Sequence, residues 1–169
     1  MCAAGGAVFE RFTRDARATV GRAADAARRL GAEQVEPEHL LLALAGGDGT
    51  DVAAQALVEA GLDVEAIEHA IEQDLIAALE AVGVPPSVVA SMPVHTRADQ
   101  PGFGVAVKQA LEQALRVAVD RGDRRIGSEH LLLGALQPPS PGLRRVLREL
   151  DVAPLRLADL VGVELAARR

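Results

Sequence analysis

The sequence predicts an all-α fold assembled from two copies of one helical unit, and three observations carry that prediction. The segment EHLLL occurs at residues 38–42 and again at 129–133, an offset of 91. The same offset relates Phe12 to Phe103, Ala27 to Ala118, Gly31 to Gly122 and Val35 to Ile126 without a gap. The apolar stripe Ala16, Val20, Ala23, Ala27 recurs as Val107, Leu111, Ala114, Ala118, with the 4-3-4 spacing of a helix face in both copies. Composition is the third observation. Hydrophobic residues make up 49% of the chain, but there are only three Phe and neither Trp nor Tyr. Core volume must therefore come from Leu, Val and Ala on closely packed helices, not from aromatic and β-branched strands.

Each element follows from local signals. Thr13 is a good N-cap and Gly31 suits the position after a helix C-terminus, so a first helix is expected between them. Pro37 favours the first turn of a second helix, which runs to about Ala45 before the breaker Gly46-Gly47-Asp48-Gly49. A third helix is expected over residues 51–60, ending at Gly61, and a fourth from Asp63 through Ile67, Ile71 and Leu75. The second copy repeats the order over residues 104–121, 128–136, 141–150 and 154–165, with Ser128 expected to cap its helix. No strand is expected within residues 13–60 or 104–150.

Between the copies, the pattern Leu57-x3-Gly61-Leu62, repeated at Leu147-x3-Asp151-Val152, appears a third time at Leu79-x3-Gly83-Val84. Residues 74–91 are accordingly expected to form an extra helix–turn–helix piece, and residues 92–102 a linker. The expected division is a flexible terminus at 1–8, repeat one at 9–77, an extra helical segment and linker at 78–102, and repeat two at 103–166.

Charge and motifs exclude several classes. The net charge of −6, from 18 basic and 24 acidic residues well mixed along the chain, argues against a nucleic-acid footprint. No apolar run reaches 18 residues, and the start MCAAGGAVF lacks a secretory pattern, so a cytoplasmic protein without a membrane partner is expected. The single Cys2 suits a reducing compartment. No G-x-x-x-x-G-K-[ST] phosphate loop occurs, and Ser87, Ser91, His95 and Thr96 make no recognisable nucleophile–base set. The expectation is a protein that is not an enzyme and that neither turns over ATP nor cleaves protein. His39, His69, His95 and His130 lack partners at ligand spacing, so no metal and no cofactor is expected.

Phe9-Glu-Arg-Phe-Thr13, followed by a helix and Val35-x-Pro-Glu-His-Leu-Leu-Leu42, resembles the amino-terminal domain of Clp/Hsp100 unfoldases, nearest the ClpC branch. Ile126-Gly-Ser-Glu-His-Leu-Leu-Leu133 in the second copy is nearer still to the family form. The resemblance spans residues 9–165 and implies a pseudo-twofold pair of four-helix repeats that receives substrates and adaptors. With no ATPase motif, it implies a free-standing domain of actinobacterial type acting as adaptor or decoy in Clp proteolysis. The implied partners are proteins or peptides, among them phosphoarginine-bearing substrates, Clp adaptors and cyclic peptides, with the chain itself a monomer. A structural dimerisation module and a small hydrolase are the alternatives.

The implied ligand residues are Thr13, Glu38, Glu129, Phe9 and Phe103. A carboxylate in the first turn of a helix is favoured by the macrodipole alone, by about 0.3–1 kcal/mol. The resemblance adds a second role for Glu38 and Glu129, contact with the guanidinium of a phosphorylated arginine, which suits bidentate pairing. It assigns Thr13 to the phosphate, where Gly104 in the second copy has no hydroxyl. The site combining Thr13 with Glu38 is therefore expected to be the tighter of two. Phe12 and Phe103 are read as hydrophobic staples at helix starts, and the resemblance implies that Phe9 and Phe103 wall a peptide groove. His39 and His130 are read as packing or hydrogen-bonding groups at the repeat interface.

Overall fold

The computed structural model describes residues 10–91 and 100–168. The elements in chain order are α1 (Arg14–Arg29), β1 (Gln34–Val35), α2 (Pro37–Ala45), α3 (Val52–Glu59), α4 (Val64–Ala81), α5 (Pro86–Ser91), β2 (Gly102–Phe103), α6 (Val105–Asp120), α7 (Ser128–Leu136), α8 (Pro141–Glu149) and α9 (Pro154–Ala167). The fold is all-α, and α1 and α2 map onto α6 and α7 with bounds 91 residues apart at both ends. The register slips by one residue in the loop that follows, since the helix C-caps Ala60 and Leu150 are 90 apart.

Helix ends are set by the residues that the sequence offers. Thr13 Oγ1 accepts from the Ala16 N–H at 3.1 Å, Asp51 caps α3 through Ala54 at 2.8 Å, and Asp63 caps α4 through Ala66 at 2.8 Å. At the C-termini, Leu62 N–H donates to Leu57 O and Gly61 N–H to Val58 O, a Schellman pair. The same pair closes α8 at Val152 and Asp151, and α4 at Val84 and Gly83. The third copy of the turn pattern is therefore real, but α4 runs unbroken through Asp74 to Ala81. The extra piece is thus a longer fourth helix plus the short α5, and not a new helix beginning at Asp74. Residues 92–99 of the expected linker lie outside the described residues.

The first correction concerns caps. Ser128 is the first residue of α7 rather than its cap, and the backbone N–H of the N-cap residue Gly127 donates to His130 Nδ1 at 3.0 Å. In the first repeat, the Glu36 N–H donates likewise to His39 Nδ1 at 3.0 Å. Each histidine takes the place that Glu or Gln fills in an ordinary capping box. This gives physical content to the expected hydrogen-bonding role of the pair.

The second correction is that extended pairing does occur inside both windows, at residues 34–35 and at Ile126. β1 pairs in parallel with β2, with Val35 opposite Phe103, and Phe12 makes a parallel bridge with Ile126. Phe12 and Phe103 are equivalents, as are Val35 and Ile126, so each pairing is the other seen through a pseudo-twofold axis. The bonds follow suit: Thr13 N–H donates to Ile126 O at 2.9 Å, and Gly104 N–H to Val35 O at 3.0 Å. The staple reading of Phe12 fails for a local reason. The N4 positions are Arg17 and Lys108, which offer no apolar partner. Phe12 is instead fully buried in the core beside the bridge.

The core lies between the repeats. α2 and α7 are apolar around most of their circumference and pack on each other, burying Leu40, Leu41, Leu44, Leu131 and Leu132. The fourth helices exchange sides: α4 packs on α8 and α9 on α3, so each repeat closes over the other. Asp74 of α4 holds Arg145 of α8 at 2.6 and 3.2 Å. Arg168 at the end of α9 donates to Thr50 O at 2.7 Å and Gln55 Oε1 at 2.9 Å beside α3. Among the described residues, no helix is long and apolar enough to cross a membrane.

Candidate binding sites at the two helix starts

The pseudo-twofold axis decides which side chains meet. Parallel bridging of residue 12 to residue 126 carries the start of α1 to the start of α7, not to the start of α2. Thr13 therefore shares a pocket of about 250 Å³ with Asp15, Asp51, Val52, Gly127, Ser128, Glu129 and Arg168. Gly104 likewise lies at the start of α2, where the Glu36 carboxylate fills the space that a side chain at Gly104 would occupy. The expected pairing of Thr13 with Glu38 is thus corrected. Thr13 belongs with Glu129, and Gly104 belongs with the Glu36–Glu38 helix start.

The two half-sites differ in chemistry. Around Thr13, the Glu129 carboxylate curls over its own helix start, packing against Gly127 and standing 3.2 Å from His130 Nδ1. Asp15 and Asp51 add carboxylates, and Arg168 is the cation of that lining. His130 is buried, and its Nε2 lies 2.9 Å from Asp123 Oδ2. With Nδ1 accepting from Gly127, the imidazole carries its proton on Nε2 and donates it to Asp123.

Around Gly104, Glu38 lies deeper. Its carboxylate rests against Gly142, where a Cβ would come within 2.9 Å of Oε1. Its Oε2 is buried and has no hydrogen-bond partner among the described residues. Burial raises the Glu38 pKa, its own backbone N–H opposes that, and Glu36 and Asp74 raise it further against the nearby Arg145. Burial also raises Glu36. His39 has Ala32 where His130 has Asp123. Burial lowers its pKa to about 4, so its ring is neutral.

Of the remaining expected ligand residues, Phe103 is half-buried and lines a shallow groove with Ala24, Asp25, Arg28, Gln100 and Pro101. Phe9 lies outside the described residues. Sequence reasoning missed Asp15, Asp51, Ser128 and Arg168 in one half-site, and Glu36, Asp74, Gly142 and Arg145 around the other. Asp51 opens the third expected helix, but its distance from residue 129 in sequence hid its role here. Among the described residues, no group of three or more His, Cys, Asp or Glu could hold a metal ion.

Known proteins share this fold. A family described as the Clp repeat (R) N-terminal domain matches residues 11–150 and 102–166. The chain is 35% identical over 155 residues to Chaperone protein ClpC1, chloroplastic, of Arabidopsis thaliana, and similarly to a ClpA homolog of Brassica napus. The aligned region is 92% of this chain but only 15% of the Arabidopsis protein, so the chain spans a small part of its curated relatives. Among solved structures, the N-terminal domain of ClpD from Arabidopsis thaliana superposes with a TM-score of 0.68 at 19% identity, covering 94% of this chain and 97% of that one. A complex of the ClpV N-domain with a VipB peptide superposes at 0.61 with 14% identity, covering 95% and 91%. These likenesses carry the fold.

Proposed function

This chain belongs to the Clp repeat N-terminal domain family, and on that premise we propose that it is a non-catalytic polypeptide-binding module that docks arginine-bearing segments of its partners at the two acidic helix starts. The observation that carries the reading is Glu38, a carboxylate with one buried oxygen that has no hydrogen-bond partner among the described residues. Burial of an unpaired acceptor costs stability, and a guanidinium supplies the missing donors in bidentate geometry. That the ClpV N-domain was solved with a peptide supports a peptide as ligand.

The charge of the Thr13 half-site bears on phosphoarginine. Asp15, Asp51 and Glu129 line it with Arg168 as the one cation among the described residues, and a phosphate dianion placed among them meets like charge. Thr13 Oγ1 already accepts from Ala16 N–H, although its proton remains free to donate. Unmodified arginine is therefore the preferred ligand, and phosphorylation weakens it. A role as adaptor or decoy beside a Clp ATPase, a monomeric state and a cytoplasmic location belong to the same proposal. So does the division into repeat one at 9–77, connection at 78–102 and repeat two at 103–166. A cyclic-peptide ligand would use the Phe103 groove. An actinobacterial source rests on composition, and the matched plant chloroplast relatives lend it no support.

Calorimetric titration with an arginine tripeptide, its citrulline analogue and its phosphoarginine analogue tests the reading. The arginine peptide binds best, and Glu38→Gln and Glu129→Gln each weaken binding at their own half-site roughly 10- to 100-fold, the worth of one hydrogen bond between charged groups. Equal binding of citrulline, or tighter binding of phosphoarginine, would overturn it.

A further inference from the structure

The two repeats differ at one place in a way that the half-sites do not explain. In repeat one, Arg22 of α1 lies in the groove between α1 and the end of α2. Its Nη2 donates to Thr19 Oγ1 at 2.9 Å and its Nε to Ala43 O at 3.3 Å, and Gly47 lies beside the guanidinium. The counterparts of Arg22, Thr19, Ala43 and Gly47 are Gln113, Ala110, Gly134 and Pro138. All four line one open cleft of about 380 Å³ between α6 and the end of α7. The cleft is thus the Arg22 groove of the second repeat with the arginine missing.

Its wall suits a cation. Pro138 and Pro139 have no N–H, so the carbonyls of Gly134 and Ala135 cannot receive the bonds that a continuing helix would give them. These carbonyls sit at the negative end of the α7 macrodipole, as Ala43 O does at the end of α2. Glu112, Gln109 and Gln113 supply further acceptors in place of the Thr19 hydroxyl. Arg116, exposed at the rim, is the one cation of the lining among the described residues, and Glu112 is its one anion.

We infer that the cleft between α6 and the C-terminal end of α7 is a socket for an arginine side chain of a partner polypeptide, which takes the place that Arg22 holds in repeat one. The socket adjoins the Glu38 helix start through Pro37, but it uses other residues and stands whether or not the half-sites bind. A guanidinium entering it donates to the end carbonyls of α7 and to Glu112, with its methylenes against Ala106 and Ala110.

The test is a titration of the ¹⁵N-labelled chain with an acetylated, amidated Gly-Arg-Gly peptide and its citrulline analogue, followed by NMR. The arginine peptide shifts the amides of Gln113, Gly134 and Ala135 in a saturable way, and citrulline does so at least roughly ten-fold more weakly, as expected for losing a charge-assisted hydrogen bond. Gln113→Arg, which refills the groove from within, abolishes these shifts, while Glu38→Gln and Glu129→Gln leave them in place. Three results would each overturn the inference: no shifts at Gly134 and Ala135, equal shifts with citrulline, or shifts that persist in Gln113→Arg.

Discussion

Gly134→Ala adds one methyl group where α6 and α7 cross, and the structure gives the consequence. The new Cβ would stand 2.5 Å from Ala114 N and 2.9 Å from Ala114 Cα, and closer still to Ala110 O. Comfortable carbon contacts begin at about 3.5 Å. Every atom in the way is backbone of α6, so relief requires that helix to shift by about 1 Å against a core already buried at Val107, Ala110 and Ala114. Overpacking of this kind costs about 1–3 kcal/mol, and rigid backbone puts it at the upper end. Alanine returns about 1 kcal/mol through helix propensity, leaving a net loss of about 2 kcal/mol. Gly162→Ala in α9 is the control, because its Cβ meets nothing within 4 Å. That variant keeps the propensity gain of about 1 kcal/mol. Thermal unfolding followed by circular dichroism should therefore move in opposite directions for one chemical change. The shifts are a fall of about 4–8 °C for Gly134→Ala and a rise of about 2–4 °C for Gly162→Ala. A Gly134→Ala protein as stable as the parent would refute the close approach.

Further outcomes follow from caps and charges. Asp151 holds φ at 53° where the equivalent turn has Gly61, so Asp151→Gly should stabilise by about 0.5–1 kcal/mol in urea unfolding; a loss would contradict the strain. His39 has a folded pKa near 4, below its ordinary 6.5. The unfolded chain therefore binds the extra proton first, and stability falls as pH drops from 6.5 toward 4, by at most roughly 3 kcal/mol. Glu38 and Glu36 act the other way. Their raised pKa values mean that the folded form takes up protons first on acidification, which offsets part of the loss. His39→Asn should flatten the fall between pH 6.5 and 4, and a pH profile unchanged by the substitution would contradict the assignment.

The helices were legible because their signals are local. Thr13, Asp51 and Asp63 cap within three residues, Gly31 and Gly61 supply positive φ, and the 91-residue repeat is visible in the chain. What the sequence hid are relations through the pseudo-twofold axis. Residue spacing places Thr13 nearer Glu38, whereas the crossing of Phe12 with Ile126 delivers it to Glu129. The histidine caps were readable in principle, since each histidine stands three residues after an N-cap, but imidazole is an unusual acceptor there. The Arg22 groove could not be read at all, because a surface arginine and a plug look alike in sequence.

A double-mutant cycle tests most directly whether each proposed binding site is assembled across the two repeats. Binding of the arginine tripeptide is measured for Thr13→Val, Glu129→Gln and Glu38→Gln, singly and in the two pairs that contain Thr13→Val. Thr13 and Glu129 share one pocket, so their losses should be non-additive by at least about 0.5 kcal/mol, while Thr13 and Glu38 should add within about 0.3–0.5 kcal/mol. Coupling of Thr13 to Glu38 with additivity toward Glu129 would contradict the account.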